Sequence, residues 1–202
     1  MNAANTNYIT AIILAGGQSR RMGRDKGLVS LNSKPLIQHM IDKVRSVTNK
    51  AMIITNQREY KKFGAPTYSD LVQNKGPLGG IYTGLHYSKT EYNLVLSCDI
   101  PLVPVSFLKK LAQYRGADQN QAYVPVYNEQ YQPLCAVYTK ACISQMKLSI
   151  KDGNLSMRNF LQTISTRFIE ISDNEAEHKN WFANLNTPGE VEKHQTDYDY
   201  EN

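Results

Sequence analysis

Ile12-Ile-Leu-Ala-Gly-Gly-Gln-Ser-Arg-Arg-Met-Gly-Arg-Asp-Lys26 is the stretch from which the fold can be read. Its apolar lead, Ala11 to Leu14, has the unbroken hydrophobicity of a strand buried on both faces. Gly16-Gly17 then lets the backbone approach a ligand with no Cβ in the way. Arg20, Arg21, Arg24 and Lys26 follow, against one acid, Asp25. Buried strand, glycine pair and fixed cations together make a cradle for a polyphosphate, because backbone N–H groups and side-chain charge converge on one anion. A strand-to-helix turn followed by a solvated basic loop would share the glycines. The four cations directly after the strand favour phosphate.

The rest of the chain fits a small α/β protein. Its 202 residues, 41% hydrophobic and 20% charged, suit one globular domain over 1–202, with about 8–195 ordered. Within it a nucleotide-binding half (8–105) precedes an acceptor-binding half (106–195). No apolar run approaches the length of about 18 residues that spans a membrane, and the polar, uncharged start Met1–Asn7 has neither half of a secretion signal. Cys98, Cys135 and Cys142 form no CxxC and no even framework, which predicts reduced thiols, a cytoplasmic location and no structural zinc. The net charge of +5 is mild and partly concentrated in the basic loop, so it does not call for nucleic acid.

Along the chain, Asn32 or Ser33 is expected to cap a helix with Pro35 in its first turn and Leu36, Ile37, Met40, Ile41 and Val44 on one face. Ala51–Thr55 reads as a second buried strand ending at Asn56, Arg58–Phe63 as a short helix, and Thr67–Ser69 as a weak strand ending at Asp70. Asn74–Gly80 reads as loop, with a helix opening at Ile81. Tyr92–Ser97 is a strand closed by Cys98-Asp99-Ile-Pro101, and Ser106–Tyr114 an amphipathic helix. Strands alternating with helices imply βαβ units and a largely parallel sheet. The second half differs. Ala122–Val126 and Leu134–Tyr138 read as an antiparallel hairpin, followed by helices near 139–147 and 156–163, a strand at 167–171, and a last helix with Thr187 as cap and Pro188 at its first position.

In an open parallel sheet, ligands bind outside the carboxyl ends of the strands. Those ends carry Gly16-Gly17, Asn56, Asp70 and Cys98-Asp99, which should converge on one crevice. Asp99 is the best Mg²⁺ candidate, a carboxylate after a buried strand with phosphates to complete the octahedron; a loop aspartate capping the next helix is the plain alternative. Gly76-Pro-Leu-Gly-Gly80 is either a simple helix entry or a place where backbone meets a nucleotide. His39, His86, His178 and His194 are expected at the surface. No nucleophile-and-base set stands out, and none is needed if the nucleophile is already a phosphate anion: transfer then requires positioning, Mg²⁺ and cations such as Arg21 and Lys26. Neither GxxxxGK[ST] nor GxGxxG after the first strand is present.

Leu14-Ala-Gly-Gly17, Ser19-Arg-Arg-Met-Gly23 and Asp25-Lys26 resemble the signature of nucleotidyltransferases with a Rossmann-like, glycosyltransferase-A-type fold. With Gly76–Gly80, Cys98–Pro101, Gln132-Pro-Leu-Cys-Ala-Val-Tyr138 and Asn184-Leu-Asn-Thr-Pro188 in order, the chain resembles the molybdenum cofactor guanylyltransferases, the MobA family, from about Tyr8 to His194. The resemblance implies a three-layer α/β/α nucleotide-diphospho-sugar transferase fold, mostly parallel with an antiparallel hairpin in its second half. It implies GTP and molybdenum-loaded molybdopterin as substrates, Mg²⁺ as cofactor, and transient contact with molybdopterin-synthesis proteins and apo-molybdoenzymes, with no membrane. Carried over by position, Leu14, Ala15, Gly16, Gly17 and Gly79 would line the nucleotide, and Lys26, with Arg21, would meet its phosphates. Asn56 and Asp70 would bind the nucleoside, Asp99 would hold Mg²⁺ and GTP, and Asn184 and Asn186 would lie near the pterin. Related cytidylyl enzymes usually read Leu-Ala-Ala-Gly, so Gly16 favours a purine. The rivals are a cytidylyl or sugar-phosphate nucleotidyltransferase of the same fold and a non-catalytic molybdopterin carrier. Gly189, where the family more often has an acid, is one departure.

Overall fold

The computed structural model describes residues 8–16, 25–114, 118–171, 180–185 and 188–193. Its centre is β1 (Ile9–Leu14), every residue of which is buried except the half-buried Leu14. Alternation along the strand feeds two cores. Ile9, Ala11 and Ile13 pack with apolar residues of α1 (Leu36–Arg45) and α3 (Val105–Ala112). Ile12 packs on the other face with α2 (Gly76–Tyr87), α4 (Cys142–Lys151) and α5 (Met157–Gln162). Helices on both faces of one sheet give the expected three layers.

β1 pairs in parallel with β4 (Ala51–Ile54) on one side and β6 (Tyr92–Ser97) on the other, and β5 (Thr67–Tyr68) extends the sheet beyond β4. The second half adds β7 (Ala122–Tyr127), β8 (Gln130–Tyr131), β9 (Cys135–Thr139) and β10 (Thr166–Glu170). β9 lies antiparallel between β6 and β7, and β10 runs parallel to β7 at the edge, giving the order β10-β7-β9-β6-β1-β4-β5. The hairpin forms as expected, but its turn is tighter: Asn128 and Glu129, both with positive φ, fold β8 back on β7.

Three local expectations are corrected. Asn32 and Ser33 do not cap α1. Both have positive φ (48° and 62°) and turn a small hairpin between β2 (Ser30–Leu31) and β3 (Lys34–Pro35), while Pro35 precedes the first helical residue without a side-chain cap. Asparagine tolerates that conformation, so turn chemistry prevails over capping. Next, α2 begins at Gly76 rather than Ile81, with Pro77 supplying the helical φ at its start. Finally, His39 is not at the surface. It is 2% exposed, and its Nε2–H donates to the carbonyl of Leu31 at 2.8 Å; burial lowers its pKa although that bond works the other way.

Two glycines of α2, Gly80 and Gly84, are explained by how closely it lies on β1. A Cβ at Gly84 would sit 2.5 Å from Cγ2 of Ile12, and one at Gly80 3.2 Å from Cδ2 of Leu14. Gly84→Ala would gain about 1 kcal/mol of helix propensity. Overpacking a β-branched core residue costs about 1–3 kcal/mol, and the buried Ile12 cannot move away from the helix. The variant is therefore expected to be less stable than the wild type by chemical denaturation; an unchanged or higher midpoint would show that the helix can shift off the strand.

Candidate active site

The carboxyl ends of β6, β1, β4 and β5 stand side by side, and each supplies a residue to the same edge. After β1, Ala15 is buried and its N–H donates to Ile54 at 2.9 Å, while Gly16 emerges at the surface. The nearest atom to a Cβ built on Gly16 is Thr55 Oγ1 at 3.9 Å, and its φ lies outside the positive region. Among the described residues, neither packing nor backbone conformation requires glycine at this position.

After β4, Asn56 and Asp70 interlock. Asn56 Nδ2 donates to Asp70 Oδ2 and its Oδ1 accepts from the Asp70 N–H, both at 3.0 Å. Burial raises the pKa of Asp70, and the Asn56 amide opposes the shift. The segment behind Asp70 is fastened to α2 by Thr83, whose hydroxyl accepts from Leu71 N–H at 3.0 Å and donates to the Gly79 carbonyl at 2.8 Å. Gly79 itself is buried, and a Cβ there would meet Lys75 Cβ at 2.8 Å and the Val72 carbonyl at 3.2 Å, so local packing already asks for glycine.

After β6, Asp99 is 9% exposed. Its Oδ1 accepts from the Ser97 hydroxyl, and its Oδ2 lies 3.6 Å from Lys26 Nζ. The Asp99 carbonyl accepts from Leu185 N–H at 2.9 Å, which sets the exposed Asn184 beside this loop. The segment carrying Asn184 is held from two sides. Trp181 and Phe182 pack on Phe107 of α3, with centroids 5.2 and 5.8 Å away, and Leu185 is buried against Leu31 and Leu36. The last helix, α6 (Pro188–Lys193), starts at Pro188 as expected. Gly17, Arg20–Arg24 and Asn186 lie outside the described residues, as do His178 and His194.

Three residues that sequence reasoning missed support Lys26. Asp25, 8% exposed, caps the 3₁₀ turn Lys26–Leu28 by accepting from Gly27 N–H at 3.2 Å. It also accepts from the Tyr60 hydroxyl and from Gln57 Nε2, the latter at 2.5 Å. Burial, then neighbouring charge, pushes Tyr60 far above the ordinary range, so it stays a donor. Two amides in succession after β4, Asn56-Gln57, were the one visible signal; nothing in Arg58–Phe63 pointed from Tyr60 back to Asp25.

The donor set suits one kind of metal. Among the described residues no three His, Cys, Asp or Glu side chains gather. A single carboxylate beside a cation fits Mg²⁺, which keeps its waters and shares substrate phosphates, and does not fit an all-protein cage. Cys98 is no nucleophile: burial, then the charges of Asp99 and Asp25, raises its thiol pKa.

The MobA-like NTP transferase domain family matches residues 11–168. The chain belongs to this family. It is 36% identical to a probable molybdenum cofactor guanylyltransferase of Flavobacterium johnsoniae over 91% of this chain and 94% of that protein. It is 33% identical to a molybdenum cofactor guanylyltransferase of Yersinia pseudotuberculosis over 91% and 93%. Its fold superposes with a TM-score of 0.79 on molybdopterin-guanine dinucleotide biosynthesis protein A of Archaeoglobus fulgidus, at 21% identity, covering 93% of this chain and 97% of that one. Among the described residues, no helix is long and apolar enough to cross a membrane.

Proposed function

We propose that this MobA-like enzyme transfers GMP from GTP to the terminal phosphate of molybdenum-bearing molybdopterin, giving the guanine dinucleotide form of the cofactor and pyrophosphate. The observation that carries this reading is the facing of Lys26 and Asp99 across 3.6 Å at the end of β6, with the exposed Gly16 just past the end of the neighbouring β1. An oxygen of the acceptor phosphate forms the new bond to the α-phosphorus of GTP, and the bond from that phosphorus to the bridging oxygen breaks. Pyrophosphate leaves with the electron pair. No base is required, because the attacking phosphate is already ionised. Lys26 offsets charge on the triphosphate, with Arg21 in the same role, and Asp99 would hold Mg²⁺. The metal, when bound, supplies Lewis-acid charge neutralisation on the phosphates.

Leu14, Ala15, Gly16, Gly17 and Gly79 are assigned to the nucleotide, Asn56 and Asp70 to its nucleoside part, and Asn184 and Asn186 to the pterin end. Gly16 supports a purine over a pyrimidine. Among the described residues neither packing nor backbone conformation asks for the entropically costly glycine there, and the absent Cβ leaves room on the ligand side.

Pyrophosphate release is the test, using purified protein, Mg²⁺ and molybdenum-loaded molybdopterin with GTP, CTP, ATP or UTP in turn. Release with GTP that requires both pterin and metal is expected. Release with CTP instead would overturn the base assignment, and pterin binding with no release from any nucleotide would favour a carrier.

A further inference from the structure

We infer that Tyr60 and Gln57 are positioning residues for Lys26, acting through Asp25. The inference rests on the phosphate role given to Lys26 above. A buried carboxylate is costly unless its oxygens are satisfied. Here both are: Oδ1 takes the Tyr60 hydroxyl and the Gly27 N–H, and Oδ2 takes the Gln57 amide. The chain around Asp25 is thereby fixed at the residue that immediately precedes Lys26.

The other side of the turn is fixed by contact. A Cβ at Gly27 would fall 2.5 Å from the Tyr60 hydroxyl and 3.1 Å from Cys98 Sγ. The turn is therefore wedged between Tyr60 and the residue next to Asp99, and Lys26 leaves it with its amine facing the Asp99 carboxylate. Gln57 follows Asn56, which holds Asp70. Consecutive amides after β4 thus brace the phosphate-side loop and the nucleoside-side acid from one point.

Tyr60 is also a core residue, fully buried and 6.1 Å from the Phe63 ring centroid, so its ring alone could explain its presence. Phenylalanine would keep that ring and delete only the hydroxyl, and the test turns on this difference. Tyr60→Phe is expected to lower kcat on the order of 10- to 100-fold, the scale of a small misplacement of a catalytic group. In a Lys26→Ala background the same change should cost about twofold or less, because a group acting through Lys26 has nothing left to act through. Equal fold-losses in both backgrounds would overturn the inference. A second readout needs no turnover: the rate at which a small amine reagent labels Lys26 in the unliganded full chain, read by mass spectrometry against the other lysines. Tyr60→Phe and Gln57→Ala should each change the Lys26 rate selectively. An unchanged rate overturns the positioning role, even if the wild type proves inactive with GTP and the proposed reaction fails on its own account.

Discussion

Asp99→Asn is expected to abolish measurable turnover while leaving the fold intact. The substitution keeps the shape of the side chain and an oxygen that can accept from Ser97, but it removes the charge. The backbone role of residue 99, accepting from Leu185 N–H at 2.9 Å, does not depend on the side chain. Losing one electrostatic group of a phosphoryl site costs on the order of 10²- to 10³-fold. Losing the only carboxylate proposed to hold the metal should cost more. Steady-state pyrophosphate release, with circular dichroism as the control, checks this; near wild-type rates would remove Asp99 from the metal site.

Lys26→Ala should separate catalysis from stability. The Lys26–Asp99 contact is 3.6 Å long and the lysine side chain is 38% exposed, so the ion pair contributes about 1 kcal/mol or less to folding. Its proposed interaction with developing charge on the triphosphate is worth about 3 kcal/mol in the transition state. A large fall in kcat/KM with a nearly unchanged melting temperature is the expected pattern. The reverse pattern, a destabilised protein with ordinary turnover, would make Lys26 a structural partner of Asp99 and no more.

What could be read in the sequence followed from periodicity and from residues at strand ends. The apolar run at Ile12–Leu14 and the strand Tyr92–Ser97 announce buried parallel strands, and they are adjacent in the sheet. The nearness of Asn56 to Asp70 followed from placing each at the end of its strand. Long-range contacts of single side chains were not legible. Tyr60 sits among charged residues in a short 3₁₀ helix, and only the folded chain brings it to Asp25. His39 looked like a surface residue of an amphipathic helix until the Asn32–Ser33 hairpin supplied a carbonyl over it. The start of α2 differs from the sequence reading because glycines ordinarily break helices; here Gly79 packs on Lys75 and Val72 and Gly80 on Leu14, contacts that cannot be inferred without knowing what the helix lies on.

The place of β9 in the sheet bears on how the protein is made. Ile9–Leu14 and Tyr92–Ser97 leave the ribosome long before the strand that covers the far edge of β6, since Leu96 must wait for Cys135 and Tyr92 for Thr139. During that interval the nascent chain carries an apolar strand with an unpaired row of N–H and C=O groups, the kind of edge that recruits a strand from another molecule. Truncations that stop near residue 105 make the interval permanent, so aggregation on expression would reflect an open sheet edge rather than any defect in the nucleotide-binding residues.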